Sequence, residues 1–152
     1  MTGMPKMDPI IEEAIRKELK KPEGKLTKTY LEKVTRLILN GTKKVTDAGL
    51  KEVAKLTQLK GLYLEGTEIT DAALKEVAKL KHLNFLALNL TQITDAGLKE
   101  AVKLKQLRFV NLEDTKVTEA GVAQMQKAFF EFWVWAKCKM HFVFWAWAKQ
   151  EE

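Results

Sequence analysis

The chain has 152 residues, 46% of them hydrophobic and 30% charged, and 26 basic against 20 acidic side chains give a formal net charge of +6. This is one domain's length with enough apolar side chain for a continuous core; a single cysteine, Cys138, excludes an intrachain disulfide framework. No serine occurs, which excludes every serine-nucleophile mechanism and points to an unusual or engineered composition.

The opening MTGMPKM holds one lysine and none of the apolar run of a secretory leader, and the lone thiol fits a reducing, cytoplasmic setting. In DPIIEEAIRKELKK, Ile11, Ile15 and Leu19 recur at i, i+4 and i+8. Asp8 is placed to cap and Pro9 is allowed in the first turn, so an amphipathic helix starts here. Lys21-Pro22-Glu23-Gly24 breaks it, and Leu26 to Val34 reads as a second short helical segment before a first strand, Leu37-Ile38-Leu39.

From Val45 a phrase returns every 24 residues: VTDAGL at Val45, ITDAAL at Ile69, ITDAGL at Ile93 and VTEAGV at Val117. With LxxLxL between copies, this period is the signature of a leucine-rich solenoid, each unit a short strand, a turn and a helix of about two turns. Strand alternation puts Leu62 and Leu64 inward and Gly61, Tyr63 and Glu65 outward. Leu74, Val77, Ala78 and Leu80 mark the buried helix stripe. Thr46-Asp47, Thr70-Asp71 and Thr94-Asp95 are expected to cap their helices, and Thr42, Thr67, Thr91 and Thr115 to satisfy backbone groups between coils. Gly49, Gly97 and Gly121 align with Ala73, so that position needs a small side chain. Gly41 and Gly66 align with Leu90 and Asp114, so the turn position reads as not reserved for glycine. The first turn, GTKKVT, has one residue more than GTEIT.

These residues resemble a known family. The LxxLxLxxT core with GTxITDAGLKEVAKL looks like the 24-residue bacterial leucine-rich repeats, and DPIIEEAIRKELKKPEGKLTKTYLEKVTRLIL looks like the helical N-terminal cap of internalin-type proteins; the likeness covers residues 8 to 128. It implies a curved scaffold that binds other proteins on its parallel-sheet face. The expected architecture is an α/β solenoid forming a single domain over 1–152. Strands lie on one face and helices on the other, with an N-terminal cap at 8–34, repeats at 35–128 and an aromatic C-terminal strand or hairpin at 129–152.

Register alignment gives the outward columns: Arg36, Gly61, Phe85, Phe109; then Ile38, Tyr63, Ala87, Asn111; then Asn40, Glu65, Asn89, Glu113. Aromatic anchors inside a polar rim have the anatomy of an interface. The expected partner-binding residues are therefore Ile38, Tyr63, Phe85, Phe109, Asn111, Trp133 and Trp135, with a protein or peptide as partner; the bland alternative is that the chain's own terminal segment covers the rings. The sequons at Asn40 and Asn89 arise from the repeat's own turns.

From Phe129 the composition changes: FFEFWVWAKCKMHFVFWAWAKQEE holds all four tryptophans and five of the seven phenylalanines. The 24-residue register places Trp133 after Phe109, Val134 after Val110 and Trp135 after Asn111, which predicts a fifth strand. FWVWAK returns as FWAWAK from Phe144, so a hairpin competes with a helix for this segment. Aromatics on both faces cannot all be buried against one solenoid edge. Phe132, Phe142, Phe144, Trp145 and Trp147 are the expected self-association residues, making homo-oligomeric assembly the alternative function. Glu131, Lys137 and Lys139 interrupt the apolar run before a membrane span is reached, leaving a membrane-surface anchor as a third reading.

No enzyme motif appears. Cys138 and His141 are two potential ligands without further partners, His82 reads as a surface loop residue, and no phosphate loop or paired-carboxylate constellation is present. No cofactor or metal is expected. The lysines recur in columns (Lys51, Lys75, Lys99; Lys55, Lys79, Lys103) beside Glu52, Glu76 and Glu100, a solvated face and not a nucleic-acid footprint.

Overall fold

The computed structural model describes residues 6–128 and the backbone of 133–135. Helix α1 (Pro9–Leu19) starts on the Asp8 carboxylate, which accepts from the Ile10 and Ile11 amides at 2.9 and 3.4 Å; it ends at Lys20 in a left-handed conformation. Its Ile11 and Ile15 are fully buried. The second helical segment is one turn, α2 (Lys28–Leu31), whose Tyr30 ring lies 4.4 Å below the Lys21 ammonium. Strand β1 (Arg36–Ile38) follows, then four alternations: α3 (Asp47–Val53), β2 (Gly61–Tyr63), α4 (Asp71–Val77), β3 (Phe85–Ala87), α5 (Asp95–Ala101), β4 (Phe109–Asn111), α6 (Glu119–Ala128) and β5 (Trp133–Trp135).

The five strands pair in chain order, all parallel. Their central residues form one row, Leu37, Leu62, Leu86, Val110 and Val134. The expected fifth strand is thus present at backbone level, Trp133 opposite Phe109 and Trp135 opposite Asn111. Phe132 and the returning segment with Phe142, Phe144, Trp145 and Trp147, like Cys138 and His141, lie outside the described residues. The core is the continuous ladder of strand and helix leucines, Leu59, Leu62, Leu64, Leu74, Leu80, Leu83 and Leu86 among them, all fully buried.

Successive coils are joined by a contact that local capping rules do not anticipate. Asp71 does not cap its own helix; its two oxygens accept from the amide and hydroxyl of Thr94, one coil on, at 2.8 and 2.6 Å. Asp47 does the same to Thr70 at 2.7 and 2.6 Å, and Asp95 to Thr118 at 2.8 and 2.5 Å. The threonines Thr70 and Thr94 do cap, accepting from Ala72 and Ala96, whereas Thr46 makes no side-chain cap bond. Each aspartate therefore holds the next coil's capping threonine in position.

The other threonine column works within its coil and not between coils. Thr67, Thr91 and Thr115 donate to the carbonyls of Leu64, Leu88 and Leu112 at 2.7, 2.5 and 2.7 Å. In the longer first turn, Thr42 instead reaches Asn40 at 3.4 Å. The glutamates pair with the second lysine column: Glu52 with Lys55, Glu76 with Lys79 and Glu100 with Lys103 at 2.7, 2.6 and 2.5 Å. These exposed i,i+3 pairs are worth a few tenths of a kcal/mol each.

The residue leaving each strand is left-handed in every coil, at φ 68 for Gly41, 65 for Gly66, 58 for Leu90 and 53 for Asp114. The residue type varies, but the conformation does not. It aims the amides of Gly41, Gly66 and Leu90 at the carbonyls of Glu65, Asn89 and Glu113 in the next coil. A side chain there costs roughly 1–2 kcal/mol. Because Leu90 is 51% exposed, Leu90→Gly gives up little burial and is expected to raise unfolding stability by about 0.5–1 kcal/mol, read as a higher urea midpoint at unchanged slope.

Candidate functional site

The outward side of the sheet is set by period-two alternation, and three short rings meet there. Tyr63 and Phe85 stack with centroids 4.7 Å apart at 29°, and Phe85 and Phe109 at 4.7 Å and 9°. Phe85 and Phe109 are direct register partners on β3 and β4. Tyr63 is not in their row, since its partner on β3 is Ala87. It reaches them by leaning back over its own strand: a Cβ on Gly61 would lie 3.4 Å from the Tyr63 Cε2. Gly61, opposite Phe85 in the register, is thus the seat of the first ring.

Near-parallel rings 4.7 Å apart must overlap face to face with an offset. Phe85 therefore has one face against Tyr63 and the other against Phe109, and presents its edge outward. All three rings are half-buried. The backbone of β5 carries the row on, Trp133 standing next to Phe109.

Around the stack the other columns differ from the simple exposed expectation. Ile38 is 50% exposed, but Ala87 is buried, a small side chain between its larger register partners Tyr63 and Asn111. Asn89, 9% exposed, is equally withdrawn. Asn40 accepts from the Glu65 amide at 3.1 Å, and Asn111 from the Glu113 amide at 3.0 Å. Arg36 leans toward α1, 3.5 Å from Glu18. The structure thus brings Tyr63, Phe85 and Phe109 into contact, places Asn111 two residues beyond Phe109 on β4, and sets Ile38 at the first-coil end of the face. Sequence reasoning missed Gly61 as the ring seat; its signal was the one small residue in a column that otherwise begins with Arg36 and continues with two phenylalanines.

Among the described residues no group of three metal-binding side chains occurs, and no helix is long and apolar enough to cross a membrane. His82 is exposed in its loop.

The family model described as Leucine Rich repeat matches residues 79–100, from the turn after α4 through β3 and into α5. An internalin from Listeria monocytogenes has a solved structure similar to this one at TM-score 0.63 and 28% identity, over 79% of this chain and 34% of that one. The fold is a leucine-rich-repeat solenoid. This leucine-rich-repeat chain spans about a third of the length of that internalin. Its fold is also similar to that of Leiomodin-1 Actin-Binding Site 2, at TM-score 0.60 and 14% identity, over 88% of this chain and 82% of that one. No curated protein matches it in sequence.

Proposed function

We propose that this leucine-rich-repeat protein is a non-enzymatic interaction module that binds a protein or peptide through the ring stack Tyr63, Phe85 and Phe109, with Ile38, Asn111, Trp133 and Trp135 extending the surface. Leucine-rich-repeat proteins generally act as protein-interaction scaffolds. The observation that carries the reading here is the stack itself. In the repeat units, core positions are constrained by packing and turn positions by backbone geometry, so a coil chooses its residues freely at exposed positions such as Glu68, Gln92 and Lys116 and on its strand face. Three adjacent coils place an aromatic ring there in continuous contact. Nothing in the solenoid requires this: Leu62, Leu86 and Val110 close the sheet from the other side, fully buried.

Rings fixed against one another lose little freedom when a partner arrives, which is the property of a pre-formed anchor. Because both faces of Phe85 are covered by its neighbours, the centre of the stack offers a ring edge and suits apolar side chains.

Peptides selected from a displayed library on the intact chain test this. Against Phe85→Ala with Phe109→Ala they are expected to bind about 100-fold more weakly, two anchors of the hot-spot class being lost, while the helical circular dichroism is unchanged. Unaltered binding to the doubly substituted chain moves the site off the strand face.

A further inference from the structure

We propose that the occupant of the strand face is an amphipathic α-helix lying across the strands, with acidic side chains along one flank of its apolar stripe and basic ones along the other. This deepens the strand-face reading and rests on it.

Two residue columns border the ring stack, and they are opposite in charge. The first precedes the strands: Thr35, Lys60, Asn84 and Arg108 are stacked coil on coil by backbone bonds, Lys60 N to Thr35 O at 2.8 Å, Asn84 N to Lys60 O at 2.9 Å and Arg108 N to Asn84 O at 2.8 Å. Lys60 and Arg108 are exposed, whereas Arg36, at the start of β1, is drawn toward Glu18 of α1. The second column follows the strands: Asn40, Glu65, Asn89 and Glu113, with Asn40 Nδ2 at 3.5 Å from Glu65 Oε2. Every charged member of the first border is a cation and every charged member of the second an anion. Parallel pairing keeps each sign at its own end of the sheet; an antiparallel sheet would alternate them.

The dimensions select the occupant. Lys60 and Glu65 are five residues apart along one coil, about 16 Å at the rise of an extended chain. A helix with its side chains is about 10–12 Å across, so it lies between the borders with both flanks in reach of a long charged side chain. An extended segment turns successive side chains alternately toward and away from the sheet, so it carries no two side-chain flanks to meet both borders. Across the strands, two ring spacings of 4.7 Å are close to two helical turns of about 11 Å, which aligns apolar positions i, i+3 or i+4, and i+7 with the three rings. With both faces of the central ring, Phe85, covered, the sign preference belongs to the borders.

The test uses two fluorescent peptides of about 18 residues, long enough to form helix, with the same leucine stripe, the same composition and zero net charge. In one, Glu and Lys are segregated to opposite flanks; in the other they are mixed on both. By anisotropy the segregated peptide is expected to bind the intact chain about tenfold more tightly at low salt, an advantage that disappears near 1 M salt, where exposed charges are screened. Lys60→Gln, Arg108→Gln and Glu65→Gln together are expected to equalise the two. Equal affinities for the unaltered chain overturn the charge inference; if Phe85→Ala still weakens both peptides, the strand-face reading survives. Binding of neither, as a face covered by residues 136–152 or by a second copy would give, overturns the inference and the reading together, as does binding indifferent to Phe85→Ala.

Discussion

Asp71→Ala is expected to lower unfolding stability by about 3 kcal/mol, measured by urea denaturation. The carboxylate receives two bonds from the next coil, 2.8 Å from the Thr94 amide and 2.6 Å from its hydroxyl, and bonds to a charged acceptor contribute about 1.5–3 kcal/mol each, with loss of the acceptor also leaving a donor unpaired. In a repeat protein, stability is approximately a sum of coil terms and interface terms. The substitution removes chemistry from one interface, between the second and third repeats, so the transition should also broaden, with a smaller denaturant slope as the two halves of the array part company. Asp71→Asn keeps one acceptor and is expected to cost about half as much. A loss below about 1 kcal/mol for Asp71→Ala would mean that leucine packing alone couples the coils.

Gly97→Val is expected to cost about 3 kcal/mol or more, and Gly97→Ala about 1 kcal/mol. A Cβ on Gly97 would fall inside van der Waals contact with Asp71 Oδ1 and 2.9 Å from Leu74 Cδ1. Overpacking of this kind costs roughly 1–3 kcal/mol, and the helix propensity of alanine over glycine returns about 1 kcal/mol; valine brings a β-branch in place of that return. The same position in the second repeat is Ala73, fully buried, where Asp47 holds Thr70 at the usual lengths. One methyl is therefore accommodated, and a branched side chain exceeds the space. Since the clash is with Asp71 itself, Asp71→Ala and Gly97→Ala are expected to be non-additive, the double substitution falling short of the sum by about 1 kcal/mol. Strict additivity would show that the glycine serves the helix–helix approach independently of the carboxylate.

The two predictions mark where the sequence was legible and where it was not. The 24-residue phrase, with the one extra residue of the first turn, was sufficient to place all five strands in register, through Val134, because in a solenoid the neighbour of a residue is the same residue one period on. It also separated the outward columns, and three of the expected interface residues, Tyr63, Phe85 and Phe109, are in contact. The Asp47, Asp71 and Asp95 column was misassigned to capping because an aspartate after threonine at a helix start has the local pattern of a cap. Its partner is 23 residues away, and only the coil-to-coil offset reveals it. The left-handed exit position was obscured for the opposite reason: Leu90 and Asp114 do not advertise a conformation that glycine favours, and at Leu90 it serves a bond to the next coil's Glu113 carbonyl. Tyr63 stacks out of column because Gly61 leaves room, a two-residue effect that single-column reading does not combine.

The aspartate bridge also has a direction. Each aspartate-bearing coil offers a carboxylate forward to the threonine of the next, so one cassette can follow another without redesign. The sequence departs from this alphabet once: 24 residues after Thr118 the chain has Phe142, and the position of the outgoing aspartate holds Glu119. Outgoing and incoming connector change at the same step, so the carboxylate-to-threonine pairing is not available between these two positions.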